Sequence, residues 1–150
     1  MQNVVLAYIE KDEKFLMLLR NKRKVDMNKG KYVGIGGHIE AGETKEEAMI
    51  REIKEETNLN VLHYTYRGLI YFNNGNIEDE MNMYLFIDDD FNGELKECDE
   101  GSLYWVNKRD IFNLNLWEGD KYFLEPLMNS NDIINLKMYY DGDRLINVIK

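Results

Sequence analysis

Between Thr44 and Asn58 the chain spells out a helix with both ends marked, and this segment constrains the fold more than any other. Thr44-Lys45-Glu46-Glu47 has capping-box form: the Thr44 hydroxyl accepts from the Glu47 backbone N–H, and the Glu47 side chain reaches back. Met49, Ile50 and Ile53 supply an apolar side, with Ile50 and Ile53 expected to face the core. Asn58 stands where the helix should stop, and asparagine tolerates the left-handed conformation that a C-cap often needs. At about 100° per residue, Glu52, Glu55 and Glu56 fall within an arc of about 100°. Three glutamates so placed repel one another by a few tenths of a kcal/mol per pair. A hard divalent cation, which prefers oxygen ligands, reverses that sign. Glutamate-rich helix faces are usually just solvated, but two neighbours favour a site here. Glu43 precedes Arg51 by two turns, and the two can pair if the chain folds back. Gly36-Gly37 precedes the helix, where bare backbone can approach a ligand or lend a carbonyl to a metal.

The remaining elements surround this helix. Val4–Ile9 and Phe15–Leu19 read as buried strands joined at Lys11-Asp12-Glu13. Arg20–Lys31 is rich in basic residues, lacks apolar rhythm and reads as a loop, and Tyr32–Ile35 is a short strand running into Gly36-Gly37. Val61–Phe72 and Met81–Ile87 are longer strands about a polar turn, and Leu103–Val106 is another. A short helix is expected over 108–112 and a longer one over 119–128. Ile133–Tyr140 and Arg144–Ile149 form a hairpin about Asp141-Gly142. Strands on both sides of a central helix imply an α/β or α+β sandwich with a mixed sheet. No internal repeat or linker divides the chain, so residues 1–150 are expected to form one domain.

The segment Gly37-His38-Ile39-Glu40-Ala41-Gly42-Glu43, then Arg51-Glu52-Ile53-Lys54-Glu55-Glu56, then Asn58-Leu59 resembles the signature of the Nudix hydrolases. Every fixed position matches except the last glycine, here Asn58, and asparagine is the commonest non-glycine residue in the left-handed region. The resemblance implies an α/β/α sandwich with a mixed central sheet and Mg²⁺-dependent cleavage of a diphosphate linkage, with Mn²⁺ as a possible substitute. It implies that Glu52, Glu55 and Glu56 ligate the metal with the Gly37 carbonyl, and that Arg51 and Glu43 pair to orient the glutamates. The residue that accepts the proton of the attacking water stays open among Glu56, Glu55 and Glu100, the last in the loop before the Leu103 strand.

Beyond the signature the chain is similar to the branch of the family that hydrolyses (oxidised) purine nucleoside triphosphates to monophosphate and pyrophosphate. Leu116 to Phe123 resembles a base-recognising loop and the helix after it. By that resemblance Trp117 stacks on the base, Asp120 hydrogen-bonds its edge and Phe72 forms another wall. Two positions depart: Gly119 stands where that group has a second aspartate, and Val33 where it has an asparagine that contacts the base. Arg23 and Lys24 are candidates for the triphosphate tail, and Gly36, Gly37 and His38 for contacts with substrate. The alternative substrates are other nucleoside diphosphate derivatives: ADP-ribose, a dinucleoside polyphosphate or a sugar nucleotide. A module that senses a nucleotide without cleaving it is a weaker alternative, since every signature glutamate is present.

The net charge of −9, from 19 basic and 28 acidic residues, argues against a nucleic-acid polymer as partner, because such binding rests on Lys and Arg neutralising phosphates. A bound cation reconciles the negative charge with a polyanionic small molecule. His38 and His63 show no zinc-ligand spacing. No apolar run approaches the ~18 residues of a membrane span, and the first residues carry no secretory signal. The lone Cys98 forms no internal disulfide and, among acids, is expected to be unreactive. These readings together point to a cytoplasmic enzyme acting on a small-molecule nucleotide as a monomer or homodimer.

Overall fold

The computed structural model describes residues 1–150. Strand β1 (Gln2–Lys11) turns into β2 (Lys14–Leu19), with Glu10 opposite Phe15. The predicted Tyr32–Ile35 strand is interrupted at Gly34, giving β3 (Tyr32–Val33) and β4 (Ile35–His38). Helix α1 (Lys45–Thr57) follows, then β5 (Asn60–Asn73), β6 (Met81–Asn92) and β7 (Ser102–Asn107). A 3₁₀ helix over Lys108–Asn113 leads toward α2 (Lys121–Asn129), and the chain ends in the hairpin β8 (Ile134–Asp141) and β9 (Arg144–Ile149).

The main sheet is mixed. β1 runs parallel to β6 and antiparallel to β4, while β5 runs antiparallel to β6 and parallel to β8. β2 continues into a smaller antiparallel group with β3 and β7. Because successive strand side chains alternate between faces, the strands feed two cores. Val5, Ala7, Ile9, Leu16 and Leu18 pack with Ala48, Met49 and Ile53 of α1. Tyr8, Phe15 and Met17 pack with Phe123, Leu124 and Leu127 of α2. The two helices therefore cover opposite faces of the sheet, the α/β/α sandwich that the sequence led us to expect.

Both ends of α1 are as read from the sequence. The Glu47 N–H donates to Thr44 Oγ1 at 3.1 Å, the Thr44 N–H donates to Glu47 Oε1 at 2.9 Å, and Asn58 caps the C-terminus at φ 69°. One expectation fails: Ile50 does not face the core but is 39% exposed. The buried stripe runs through Ala48, Met49 and Ile53, and Ile50 lies about 60° beyond Ile53 around the axis, outside that stripe. The same geometry places Glu56 between Ala48 and Met49 in projection, on the inward side.

Candidate active site

The connection from β4 to α1 folds back on the helix and is held by one arginine. Arg51 Nε and Nη2 donate to the two oxygens of Glu43 at 2.7 and 2.9 Å, a bidentate fork. Its Nη1 donates to Glu52 Oε1 at 2.8 Å and to Glu55 Oε2 at 3.2 Å, and Nη2 also reaches the His38 carbonyl at 3.0 Å. The guanidinium hydrogen-bonded to Glu43 holds that carboxyl down to about 2. The predicted Glu43–Arg51 pair thus exists, and it ties the Gly-Gly strand to the glutamate face.

Gly37 sits against that face. A Cβ there would lie 2.4 Å from Cδ of Glu52, so a larger residue would push the carboxylate from the position it holds beside the strand. Burial raises the Glu52 carboxyl above the ordinary range. Burial first, and then the neighbouring Glu100 carboxyl, raise Glu56 well above it. One Glu56 oxygen is buried and has no hydrogen-bond partner. Glu100 comes from the loop before β7, as expected. It pairs with Arg20 Nη1 at 3.4 Å and Arg23 Nη1 at 3.3 Å.

No three His, Cys, Asp or Glu side chains converge into a ready-made metal cage. The donors at this helix nevertheless suit a hard cation: they are all oxygens, and one of them is buried and orphaned. Mg²⁺ is commonly held by one or two carboxylates with water and phosphate oxygens completing its shell, so a closed protein cage is not required.

Beside this face opens a cavity of about 340 Å³, within the range of small-molecule sites. Gly36, Gly37, His38, Arg23 and Glu100 line it, together with Phe72, Trp117 and Asp120. Eight predicted site residues, drawn from five separate stretches of chain, thus meet at one opening. Trp117 stands edge-on to Phe72, with centroids 5.8 Å apart, and edge-on to Tyr140 at 5.3 Å. Asp120 is 9% exposed, and burial pushes its carboxyl up to about 8.

Two predicted residues are engaged within the protein. Arg23 lines the cavity while paired with Glu100, and His38 Nε2 hydrogen-bonds Gln2 Oε1 at 2.8 Å. Sequence reasoning missed Tyr140, Tyr8, Arg20 and Asn28, all of which line the cavity. None belongs to a short motif, and only the sheet brings β1, β2 and β8 to one place. Tyr140 also accounts for Gly119. Its hydroxyl accepts from the Gly119 N–H at 2.7 Å and would lie 2.5 Å from any Cβ added there, so an aspartate would have to displace Tyr140 and the Met138 sulfur beside it.

The NUDIX domain family matches residues 1–127. The chain belongs to the Nudix family of hydrolases, whose members are pyrophosphohydrolases. It is 37% identical over 107 residues to the ADP-ribose pyrophosphatase of Methanocaldococcus jannaschii, covering 71% of this chain and 59% of that one. It is 26% identical over 130 residues to the oxidized purine nucleoside triphosphate hydrolase of Mus musculus, covering 87% and 83%. The crystal structure of a MutT protein from Bacillus halodurans superposes with a TM-score of 0.88 at 27% identity, over 99% of this chain and 97% of that one. The α+β fold is that of the MutT proteins.

Proposed function

We propose that this protein hydrolyses a purine nucleoside triphosphate to the monophosphate and pyrophosphate in the presence of Mg²⁺ or Mn²⁺. One observation carries the reading: a single cavity has an aromatic wall and a buried acid at Trp117, Phe72 and Asp120, and also reaches Gly36, Gly37 and Glu100 beside the glutamate face. A base and its phosphates fit that layout in the order in which a nucleotide carries them.

At the base end Trp117 offers a stacking face. Lys31, which does not line the cavity, stands over the indole with Nζ 5.0 Å from the ring centroid, so the opposite face is the one left for a base. Asp120, neutral below about pH 8, donates as well as accepts at the base edge. At the phosphate end Arg23 supplies positive charge. Glu52, Glu55, Glu56 and the Gly37 carbonyl would hold the cation, which when bound neutralises diphosphate charge and lowers the pKa of water. Arg51 keeps Glu52 and Glu55 oriented and Glu43 keeps Arg51 in place, while Glu56, Glu55 or Glu100 takes the proton of the attacking water. Oxidised purines such as 8-oxo-dGTP fall within this substrate class.

The likeness to an ADP-ribose pyrophosphatase favours a second reading, in which the same chemistry acts on another nucleoside diphosphate derivative. A phosphate-release assay with Mg²⁺ separates the two. Signal on purine triphosphates that requires added pyrophosphatase supports the proposal. Silence on triphosphates, with signal on ADP-ribose only after added phosphatase, overturns it in favour of the second.

A further inference from the structure

The basic loop 20–31, which carries Arg23 at the phosphate end of the cavity, also closes around the base end. Its ends close on each other, with the Arg20 N–H donating to the Lys31 carbonyl at 3.0 Å and the Gly30 N–H to the Arg20 carbonyl at 2.8 Å. Inside it Asp26, whose side chain is 5% exposed, takes Arg20 Nε on one oxygen at 2.8 Å and the Asn28 backbone N–H on the other at 3.0 Å. This Asx turn aims the Asn28 side chain at the opposite wall. There the Trp117 indole N–H donates to Asn28 Oδ1 at 2.6 Å. The indole N–H can only donate, so the bond also settles which way the amide faces. Two further bonds seat the loop on the segment before Trp117: Asn115 Nδ2 donates to the Gly30 carbonyl at 2.7 Å, and the Tyr32 N–H donates to the Asn115 carbonyl at 2.9 Å.

We propose that Asn28 is the positioning residue for base recognition: it holds the indole of Trp117 by its only polar atom, and Asp26 and Arg20 hold Asn28 in turn. The proposal rests on the base-stacking reading of Trp117. A ring pinned along one edge keeps its face presented before substrate arrives, so ordering it costs nothing at the moment of binding. Arg20 serves both ends of the cavity, since the same guanidinium bonds Asp26 and pairs with Glu100.

The test is steady-state kinetics with dGTP and Mg²⁺ on Asn28→Ala, Trp117→Phe and the double variant. Asn28→Ala should raise KM about five- to tenfold, the size of one lost buried hydrogen bond, and leave kcat within about twofold. Trp117→Phe has no N–H to hold, so adding Asn28→Ala to it should move KM by less than about twofold. Asn28→Leu, which keeps the volume and removes the acceptor, should match Asn28→Ala. In a Trp105→Phe background, releasing the indole should shift the Trp117 emission to the red. An equal KM increase in both backgrounds, or no increase in the parent while Trp117→Ala raises KM, overturns the role of Asn28 alone. If Trp117→Ala leaves KM unchanged, the stacking reading fails first and this proposal falls with it.

Discussion

At the scale of single residues, the same chemical group takes opposite states according to what it touches. Glu43 accepts the Arg51 fork and stays ionised far into acid, whereas Asp120 is walled in by the aromatic core and stays protonated to about pH 8. Two predictions belong here. Glu55→Gln removes a carboxylate without changing shape and should lower kcat by about two to three orders of magnitude with thermal stability retained, as read by steady-state kinetics and a melting curve. A variant that turns over like its parent removes Glu55 from the metal set. Asp120→Asn imitates the neutral acid as a donor and cannot lose its proton. The ratio of parent to variant kcat/KM on a purine triphosphate should therefore stay level at neutral pH and fall as pH rises past about 8. A level ratio from pH 6 to 9.5 would mean that ionisation of Asp120 does not govern base binding.

At the scale of elements, α1 carries its instructions locally. Its capping box and the left-handed Asn58 are satisfied within the helix and its caps. Thr44→Ala should cost about 1 kcal/mol in chemical denaturation, the usual value of an N-cap. Asn58→Gly restores the residue best suited to φ 69° and should cost nothing or stabilise by up to about 1 kcal/mol, with activity unchanged. A loss of activity in Asn58→Gly would show that the departure from the signature serves the site. Loop 20–31 behaves differently. It has no periodicity, yet it is ordered by bonds to strand ends, to Asn115 and to Trp117. No residue pattern within the loop signals those partners.

For the whole molecule, acids raised by burial shape how stability follows pH, and two of them, Asp88 and Asp120, lie outside the glutamate face. Asp88 in β6 is fully buried, neither carboxylate oxygen has a hydrogen-bond partner, and burial raises it to about 7 from an ordinary 3.8. Asp120 is raised likewise. A carboxyl whose pKa is raised in the folded state binds its proton more tightly there, so the stability it confers is present below about pH 4 and is lost as pH rises to about 7 or 8. Glu43 has the opposite sign: its contribution is present above its ordinary 4.5 and is lost as pH falls toward 2. Stability should therefore peak in mildly acidic solution. Asp88→Asn should melt about 5 °C above the parent at pH 8, with the gap narrowing as pH falls and closing only near pH 4, as read by differential scanning calorimetry. A gap independent of pH would show that Asp88 is not the titrating group.

The capped helix, the three glutamates on one arc, the Arg51–Glu43 pair and the strands on either side were legible in the order of residues alone. Each depends on spacings of a few residues or on alternation along a strand. Local geometry reads such relations directly, while the family chemistry came from their resemblance to the Nudix signature. Sequence resemblance also picked out Trp117, Asp120 and Phe72, but it could not show that they share one cavity with Gly37 and Glu100. That emerges in the folded chain, because β1, β4, β5 and the loop before α2 meet through sheet pairings far apart in sequence. Folding also turned Ile50 outward, placed Glu56 inward and filled the space beside Gly119 with the hydroxyl of Tyr140. These outcomes depend on which neighbour covers a given helix face or backbone position, and in this chain the neighbours come from distant strands.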